Sequence, residues 1–276
     1  MTSVPPTPLE LSRQSRLSYH ELQRLIATVT SETIHPGVPL RPEVASRTAT
    51  LIRLRQAGVP LQYLEGHVEF GPVRLAVDER ALIPRPETER LWELVTRLVP
   101  VGVPALIVDL GTGSGALALA LAYTYPRAEV VATDISPQAL DLARENIRAN
   151  RWVGGRIELR EGDLFEALPS SLRGEVDILV SNPPYVAEAE WPDLPEDVRS
   201  EPYSALVAGP RGTEILERIA AEASDWLRPA GTVAVEIGET QAAEVQEAFR
   251  SGGIDAKIHH DLTGRPRFVW GGTLGS

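Results

Sequence analysis

The run Asn-Pro-Pro-Tyr at residues 182–185 contains the groups best suited to chemistry. Two consecutive prolines fix the backbone and remove two N–H donors, so the Pro183 carbonyl can accept a hydrogen bond beside the Asn182 side-chain oxygen. Two acceptors suit a planar –NH₂ group, and the ring of Tyr185 can lie against its plane. We therefore predict that Asn182, Pro183, Pro184 and Tyr185 form a catalytic and substrate-binding unit for an amino or amide nitrogen. A rigid proline turn or a polyproline-type ligand segment is the alternative.

A second candidate is the glycine loop Gly111-Thr112-Gly113-Ser114-Gly115, between a predicted strand and a predicted helix. Glycines permit a tight turn and let a ligand approach the backbone. Asp134 closes the next predicted strand, 21 residues after Gly113, where a carboxylate can bind both ribose hydroxyls. The spacing predicts a nucleoside cofactor without identifying it, because an NAD enzyme would show the same pattern.

Asp163 follows the third predicted strand, where its carboxylate can accept a hydrogen bond from an adenine amino group, with Leu164 near the ring. An ordinary turn aspartate is the alternative. The predicted cofactor-binding residues are Gly111, Thr112, Gly113, Ser114, Gly115, Asp134, Ile135, Asp163, Leu164 and Asn182.

These motifs lie in a stretch of alternating strands and helices. The predicted strands are 105–110, 129–134, 156–161, 176–181, 231–238, 256–261 and 267–270. The predicted helices between them are 115–125, 136–150, 212–227 and 240–251. Continuous apolar strands that alternate with helices predict an α/β fold with a mostly parallel seven-stranded sheet covered on both faces. Ligands bind beyond the carboxyl ends of such strands, where every motif above lies.

The chain before this sheet has a different pattern. Helical periodicity covers 9–28 and 42–56, and two extended runs, 67–70 and 73–77, predict a β-hairpin. A further helix is predicted to run from about Pro86 to Leu98. The predicted domains are a helical domain at 1–65, a hairpin linker at 66–84 and a catalytic domain at 85–276.

Composition narrows the possible functions. The 276 residues include no cysteine, which excludes disulfides, thiolate nucleophiles and Cys-ligated metals. Net charge is −11, divided into +3 over 1–60 and −14 over the remainder, which disfavours binding to a phosphate backbone. No apolar run is long enough for a membrane span, and residues 1–10 lack a signal-peptide pattern, so we expect a cytoplasmic protein. Adjacent strand residues His259 and His260 face opposite sides, so no metal site is expected.

The glycine loop, Asp134 and residues 182–185 together resemble class I S-adenosylmethionine methyltransferases that act on a planar amino or amide nitrogen. Asn-Pro-Pro-Tyr is shared by DNA adenine-N6 and protein glutamine-N5 methyltransferases. From about residue 60 to the C-terminus, the chain is similar to the release-factor glutamine methyltransferases. The segments that carry this similarity are 60–66, 82–89, 108–115, 201–207 and 235–238.

That resemblance implies a Rossmann-like catalytic domain, S-adenosylmethionine as cofactor, and methylation of the glutamine in the Gly-Gly-Gln motif of peptide chain release factors. It implies a protein partner, with no nucleic acid or membrane, and we expect a monomer. Leu82, Arg85 and Glu236 are further expected substrate contacts. Arg85 belongs to a proline-rich segment predicted to edge the cofactor site or to act as a linker. Glu236 ends a predicted strand, where it faces the cleft, a helix or solvent.

Three alternatives remain open from the sequence. A nucleic-acid adenine-N6 methyltransferase would carry a basic face and a target-recognition insertion, in contrast to the charge of −14 here. An NAD-dependent oxidoreductase explains the glycine loop but leaves residues 182–185 without a role. A non-catalytic S-adenosylmethionine-binding module would bind the cofactor without transferring methyl.

Overall fold

The structure is a computed structural model and describes residues 5–102 and 105–273. The absence of a signal peptide was predicted from residues 1–10, of which residues 1–4 lie outside the described residues. Internal contacts divide the chain into two units, Met1–His67 with Pro195–Ser200 and Val68–Leu194 with Glu201–Ser276. The domain boundaries drawn from the sequence, at 65 and 84, stay a prediction.

Helices and strands alternate over most of the chain. The helices are α1 (Pro8–Ser15), α2 (Tyr19–Ala27), α3 (Pro42–Gln56), α4 (Leu61–Glu65), α5 (Pro86–Leu98), α6 (Ala116–Thr124), α7 (Pro137–Ala149), α8 (Arg151–Gly154), α9 (Glu196–Arg199), α10 (Tyr203–Leu206), α11 (Glu214–Trp226) and α12 (Ala242–Ser251). The strands are β1 (His67–Phe70), β2 (Val73–Ala76), β3 (Leu106–Leu110), β4 (Glu129–Asp134), β5 (Ile157–Glu161), β6 (Val176–Ser181), β7 (Val186–Ala187), β8 (Val207–Gly209), β9 (Leu227–Glu236), β10 (Lys257–His260) and β11 (Pro266–Gly272). Short 3₁₀ turns cover Leu164–Ala167, Ser170–Leu172 and Glu188–Asp193.

The first unit contains helices α1 to α4 and α9. The stretch predicted to be helical, 9–28, forms two helices, because the chain breaks between α1 and α2 at Arg16, whose φ of 60° is left-handed. A new helix then begins at Ser18, whose hydroxyl accepts the backbone N–H of Glu21 while the Glu21 carboxylate accepts the backbone N–H of Ser18. Leu22 and Leu25 of α2 are fully buried in the core of this unit.

A seven-stranded sheet with the order β10-β11-β9-β6-β3-β4-β5 forms the centre of the second unit. Its strands β3, β4, β5, β6 and β9 run parallel, whereas β11 is antiparallel to both β9 and β10. The predicted mostly parallel seven-stranded sheet is therefore confirmed. The chain leaves β3 first toward β4 and β5 and later returns to β6 on the other side, which makes the β3–β6 boundary the switch point where such sheets bind ligands.

Both faces of this sheet are covered by apolar helices. Residues of α5 and α6, such as Leu91 and Leu119, pack on one face with no exposed surface. Residues of α11 and α12, such as Ile219 and Phe249, pack equally tightly on the other. Burial on both faces explains the continuous apolar strands of the sequence, and it fixes the strand ends that carry the motifs.

The sequence patterns predicted no helix or strand in the segment between β6 and α11. It contains β7 and β8, which pair in parallel, together with the short helices α9 and α10. Strands of two and three residues are too short to show a periodic pattern. Strand β9 begins at Leu227, before the predicted start at 231, because the exposed residues Arg228, Pro229 and Ala230 interrupt the apolar run that marks the rest of the strand.

Within the described residues, no helix is long and apolar enough to cross a membrane. Nor do the same residues contain a group of three or more His, Cys, Asp or Glu side chains arranged to hold a metal ion.

Candidate functional site

A cavity of about 390 Å³ opens at the carboxyl ends of the central strands. Its volume is in the range of sites for small molecules and cofactors. The predicted site residues that line it are Leu82, Gly111, Thr112, Gly113, Ser114, Asp134, Ile135, Asp163, Leu164, Asn182 and Pro184. Motifs that lie far apart in the sequence thus meet in one place. The predicted residues Arg85, Gly115, Pro183, Tyr185 and Glu236 do not line the cavity.

The glycine loop leaves room for a ligand against the backbone. Gly111 and Gly113 have φ of 68° and 56°, a conformation that costs residues with a side chain. A Cβ atom at Gly111 would meet nothing within 4 Å, and one at Gly113 would meet only the Cβ of Ala81 at 3.9 Å. The third glycine, Gly115, differs because its Cβ position faces Ala143 at 3.5 Å, so it serves helix packing and not the cavity wall.

Asp134 links the end of β4 to the glycine loop. Its Oδ2 accepts the backbone N–H of Gly113 at 2.8 Å, and its Oδ1 accepts that of Ser136 at 2.9 Å. Burial raises the pKa of this carboxyl, and the two N–H donors oppose the shift. Each oxygen keeps a further lone pair, so the carboxylate can still accept hydrogen bonds from two neighbouring hydroxyls.

Asp109 is a cavity residue for which the sequence analysis predicted no role. Its Oδ2 accepts the Thr112 hydroxyl at 2.6 Å and the backbone N–H of Ala118 at 3.2 Å. Burial raises the pKa of Asp109 to about 7. A buried carboxylate beside the loop can attract a cationic group of a ligand. In the sequence, Asp109 could have been identified as the one charged residue of an otherwise apolar strand.

The far end of the cavity carries Asp163 and Leu164. Asp163 Oδ2 accepts a hydrogen bond from Arg218 Nη2 at 2.8 Å, an ion pair that the sequence did not reveal. Arg218 itself lines the cavity. Leu164 has a φ of 49°, so its backbone is held in a conformation that a leucine adopts at a cost.

Residues 182–185 alternate between two sides. Asn182 and Pro184 line the cavity, whereas Pro183 is buried and Tyr185 lies behind, as expected for an extended segment. The segment starts from a fixed point, because the Ser181 hydroxyl donates to the Leu110 carbonyl at 2.7 Å. The Pro183 carbonyl accepts no hydrogen bond from any residue in the described ranges.

A buried hydrogen-bond chain supports this segment from behind. Asn182 Nδ2 donates to Thr88 Oγ1 at 2.8 Å, and the Thr88 hydroxyl donates to Glu236 Oε2 at 2.8 Å. The Tyr185 hydroxyl donates to Glu236 Oε1 at 3.2 Å. Burial and the adjacent Glu236 carboxylate raise the pKa of Tyr185, so its hydroxyl stays protonated. Glu236 therefore holds both ends of the segment.

Glu236 itself is wholly buried, and burial raises its pKa to about 7. Its two oxygens are occupied by Thr88 and Tyr185, which explains why Glu236 does not reach the cavity wall. Of the positions considered from the sequence, Glu236 takes the one that faces a helix, because its partner Thr88 belongs to α5.

The opposite wall is built by the segment after Glu201. Pro202, Tyr203, Ser204, Ala205 and Val207 all line the cavity. Glu201 anchors them, because its buried side chain accepts the Ile83 backbone N–H at 2.8 Å and forms an ion pair with Arg85. Arg85 is held by this ion pair and does not line the cavity, and its contact with substrate stays a prediction.

The residues around the cavity fit an S-adenosylmethionine molecule. The open space at Gly111 and Gly113 admits a ligand against the backbone, and Asp134 offers acceptors for a ribose. Asp109 offers a carboxylate for the ammonium of a methionine moiety. Asn182 lines the same cavity and offers an amide side chain to a ligand.

A family model described as "Methyltransferase small domain" matches residues 94–209. Among solved structures, the chain is similar to a methyltransferase from Pyrococcus furiosus, with a TM-score of 0.54, 19% identity, and coverage of 73% of this chain and 90% of that one. It is also similar to the hMettl16 catalytic domain in complex with a MAT2A 3′UTR hairpin, with a TM-score of 0.59, 16% identity, and coverage of 99% and 93%. At these identities the likeness concerns the fold alone.

Curated relatives share more of the sequence. A protein from Deinococcus radiodurans is 40% identical over 240 residues, which are 87% of this chain and 84% of the relative. Relatives from Moorella thermoacetica and Mycolicibacterium smegmatis are 42% and 44% identical, over 88% and 83% of this chain and 83% and 80% of their own. All three are named "Release factor glutamine methyltransferase".

Proposed function

The chain belongs to the release factor glutamine methyltransferase family, and from that premise we propose that its cavity binds S-adenosylmethionine beside the glutamine side chain of a release factor. The enzyme methylates the amide nitrogen (N5) of that glutamine. We assign the glutamine to the Gly-Gly-Gln motif. The observation that supports this site best is that Asn182 lines the same cavity as the glycine loop.

The chain's own residues would hold the cofactor along the strand ends. Gly111 and Gly113 allow it to approach the backbone, the Asp134 carboxylate accepts hydrogen bonds from the ribose, and Asp109 attracts the ammonium group. Asp163 accepts a hydrogen bond from the adenine amino group with the oxygen that Arg218 leaves free. Ile135 and Leu164 line the cavity near Asp134 and Asp163 and supply apolar contact for the base.

An amide nitrogen is a weak nucleophile because its lone pair is delocalised into the carbonyl. S-adenosylmethionine supplies a methyl group that its sulfonium has already activated. The protein must therefore mainly align the nitrogen, the methyl carbon and the sulfur, which is catalysis by proximity and orientation.

Asn182 and Pro183 perform that alignment in our proposal. The Asn182 Oδ1 and the Pro183 carbonyl accept the two hydrogens of the glutamine –NH₂, so the nitrogen lone pair points at the methyl group. Positive charge develops on the nitrogen as the new bond forms, and the two acceptors stabilise that charge. Leu82 and Pro184 line the cavity and close around the side chain. Tyr185 supports the segment from behind through Glu236.

We propose a monomer that acts on a protein partner in the cytoplasm, where translation is terminated, without binding nucleic acid. The net charge of −11 supports a partner other than a polyanion. Transfer of labelled methyl from S-adenosylmethionine to a release factor, with DNA in a parallel reaction, tests the proposal. Label in DNA alone would favour the adenine-N6 alternative.

A further inference from the structure

We propose that Thr88 is a positioning residue, which determines which end of the Asn182 amide faces the cavity. The inference rests on the proposed function, in which Asn182 Oδ1 accepts a hydrogen bond from the substrate –NH₂. Thr88 lies in the first turn of α5, 94 residues from Asn182 in the sequence, and is 4% exposed.

The direction of the hydrogen bonds determines the orientation of the Asn182 amide. A threonine hydroxyl has one proton, and Thr88 donates it to Glu236 Oε2. At pH 8, above the Glu236 pKa of about 7, this carboxylate is ionised and has no proton to return. Thr88 Oγ1 can then only accept a hydrogen bond from its second neighbour. The neighbour is Asn182, which must turn its –NH₂ end toward Thr88, at the observed distance of 2.8 Å. The carbonyl end of Asn182 is left for the cavity.

The shape of the site alone would not determine which end of the Asn182 amide faces the cavity. The two ends of an asparagine amide are nearly identical in size, so a flipped Asn182 would occupy the same space and present two N–H donors to the substrate. Donors would then face the donors of the glutamine –NH₂. Among the hydrogen bonds of the described residues, the Asn182 side chain makes only the one to Thr88, so no other protein group corrects a flip.

The hydrogen-bond chain is anchored on rigid elements, and Thr88 and Glu236 are buried, although Thr88 also lines the cavity. Glu236 has no exposed surface, and it ends the central strand β9, whereas Thr88 is fixed by α5. A buried acceptor without its donor is costly, so the Thr88–Glu236 bond is maintained. Because the other oxygen of Glu236 binds Tyr185, the same carboxylate sets the Asn182 amide and the far end of residues 182–185.

The first test, at pH 8, compares Thr88→Val, which keeps the shape and removes the hydroxyl, with Thr88→Ser, which keeps the hydroxyl. We expect Thr88→Val to lower kcat for methylation of a release factor at least tenfold, with the KM for S-adenosylmethionine changed less than threefold, and Thr88→Ser to recover most of that loss. Thr96→Val, on the same helix but away from the cavity, should match the wild type. Equal kcat in Thr88→Val and wild type would overturn the proposal.

A second readout does not depend on turnover. The side-chain amide signal of Asn182, assigned in ¹⁵N–¹H spectra of the free protein by its absence in Asn182→Ala, should exchange with water at least tenfold faster in Thr88→Val. Unchanged exchange would contradict the proposal. If the wild type leaves the glutamine unmethylated, the proposed function fails, while the exchange result still reports on the Thr88–Asn182 bond.

Glu236→Gln tests the same hydrogen-bond chain if Thr88→Val does not fold, and a double-mutant cycle extends the test if both variants fold. In Glu236→Gln the new amide can donate to Thr88, so Thr88 can donate to Asn182 and reverse the chain. This variant should lose at least tenfold in kcat by itself. The double variant Thr88→Val/Glu236→Gln should lose no more kcat than the more impaired of the two single variants, because both substitutions break the same hydrogen-bond chain. Wild-type kcat in Glu236→Gln, or multiplying losses in the cycle, would overturn the proposal.

Discussion

Asp134 and Gly113 are joined by a hydrogen bond of 2.8 Å from the backbone N–H of the glycine to the carboxylate Oδ2. The bond couples the end of β4 to the glycine loop that follows β3. Removal of the carboxylate therefore affects two features at once, the shape of the loop and the acceptors offered to a ribose.

Asp134→Ala should weaken S-adenosylmethionine binding at least tenfold, because the loop loses its support and the ribose loses its acceptor. Isothermal titration calorimetry on the free enzyme measures the change. Asp141→Ala is the control, since Asp141 is an exposed residue of α7 that pairs with Arg144. Equal affinity of Asp134→Ala and the control would remove Asp134 from the cofactor site.

Asn182→Ala should separate binding from chemistry. We expect the affinity for S-adenosylmethionine to stay within threefold of the wild type, while turnover falls at least a hundredfold, since the variant loses the acceptor that orients the amide and stabilises its developing charge. Calorimetry and a steady-state methylation assay provide the two numbers. Turnover that survives the substitution would show that the nitrogen is oriented by other groups.

The structure also explains how far the sequence could predict this site. Gly111, Asp134 and Asn182 could be predicted because each ends or directly follows a strand of a parallel sheet, and the carboxyl ends of such strands share one edge. Thr88 and Glu201 were not assigned roles, because their contacts join segments 148 and 118 residues apart, to Glu236 and Ile83, and depend on how helices and loops pack on the sheet. No local spacing encodes such contacts.

Glu201→Ala should destabilise the enzyme by about 3–5 kcal/mol, because it leaves the buried Ile83 N–H and the Arg85 guanidinium without their acceptor. Glu201→Gln keeps an acceptor for Ile83 and should cost less. Urea unfolding gives both values. Asp255→Ala, which removes an exposed ion pair with Lys257, serves as the control and should change stability by less than about 1 kcal/mol. A loss in Glu201→Ala as small as in the control would refute the anchoring role.

The pH dependence of stability should reflect Glu236. Burial raises its pKa in the folded protein from 4.5 to about 7; Glu87 adds to the shift and Arg267 opposes it. The folded state therefore binds the proton more tightly than the unfolded state, and lowering the pH from 8 to 5.5 stabilises the fold. The stabilisation attributable to Glu236 is about 2 kcal/mol.

Glu236→Gln removes this titration and leaves that of Asp109, whose pKa is also raised to about 7. Urea unfolding of both proteins at pH 5.5 and pH 8 should show a smaller gain on acidification in the variant. If both proteins gain the same stability, Glu236 titrates normally, and the carboxylate is more hydrated than its position suggests.

The central claim, that Asn182 and the glycine loop bring a glutamine amide and S-adenosylmethionine together, has a direct test. The wild-type enzyme is incubated with methyl-labelled S-adenosylmethionine and a release factor, and the modified peptide is mapped by mass spectrometry. We predict one methyl group, on the side-chain nitrogen of the glutamine in Gly-Gly-Gln, and no label when that glutamine is replaced by glutamate. Label on another residue, or label in DNA and none in the release factor, would contradict the account.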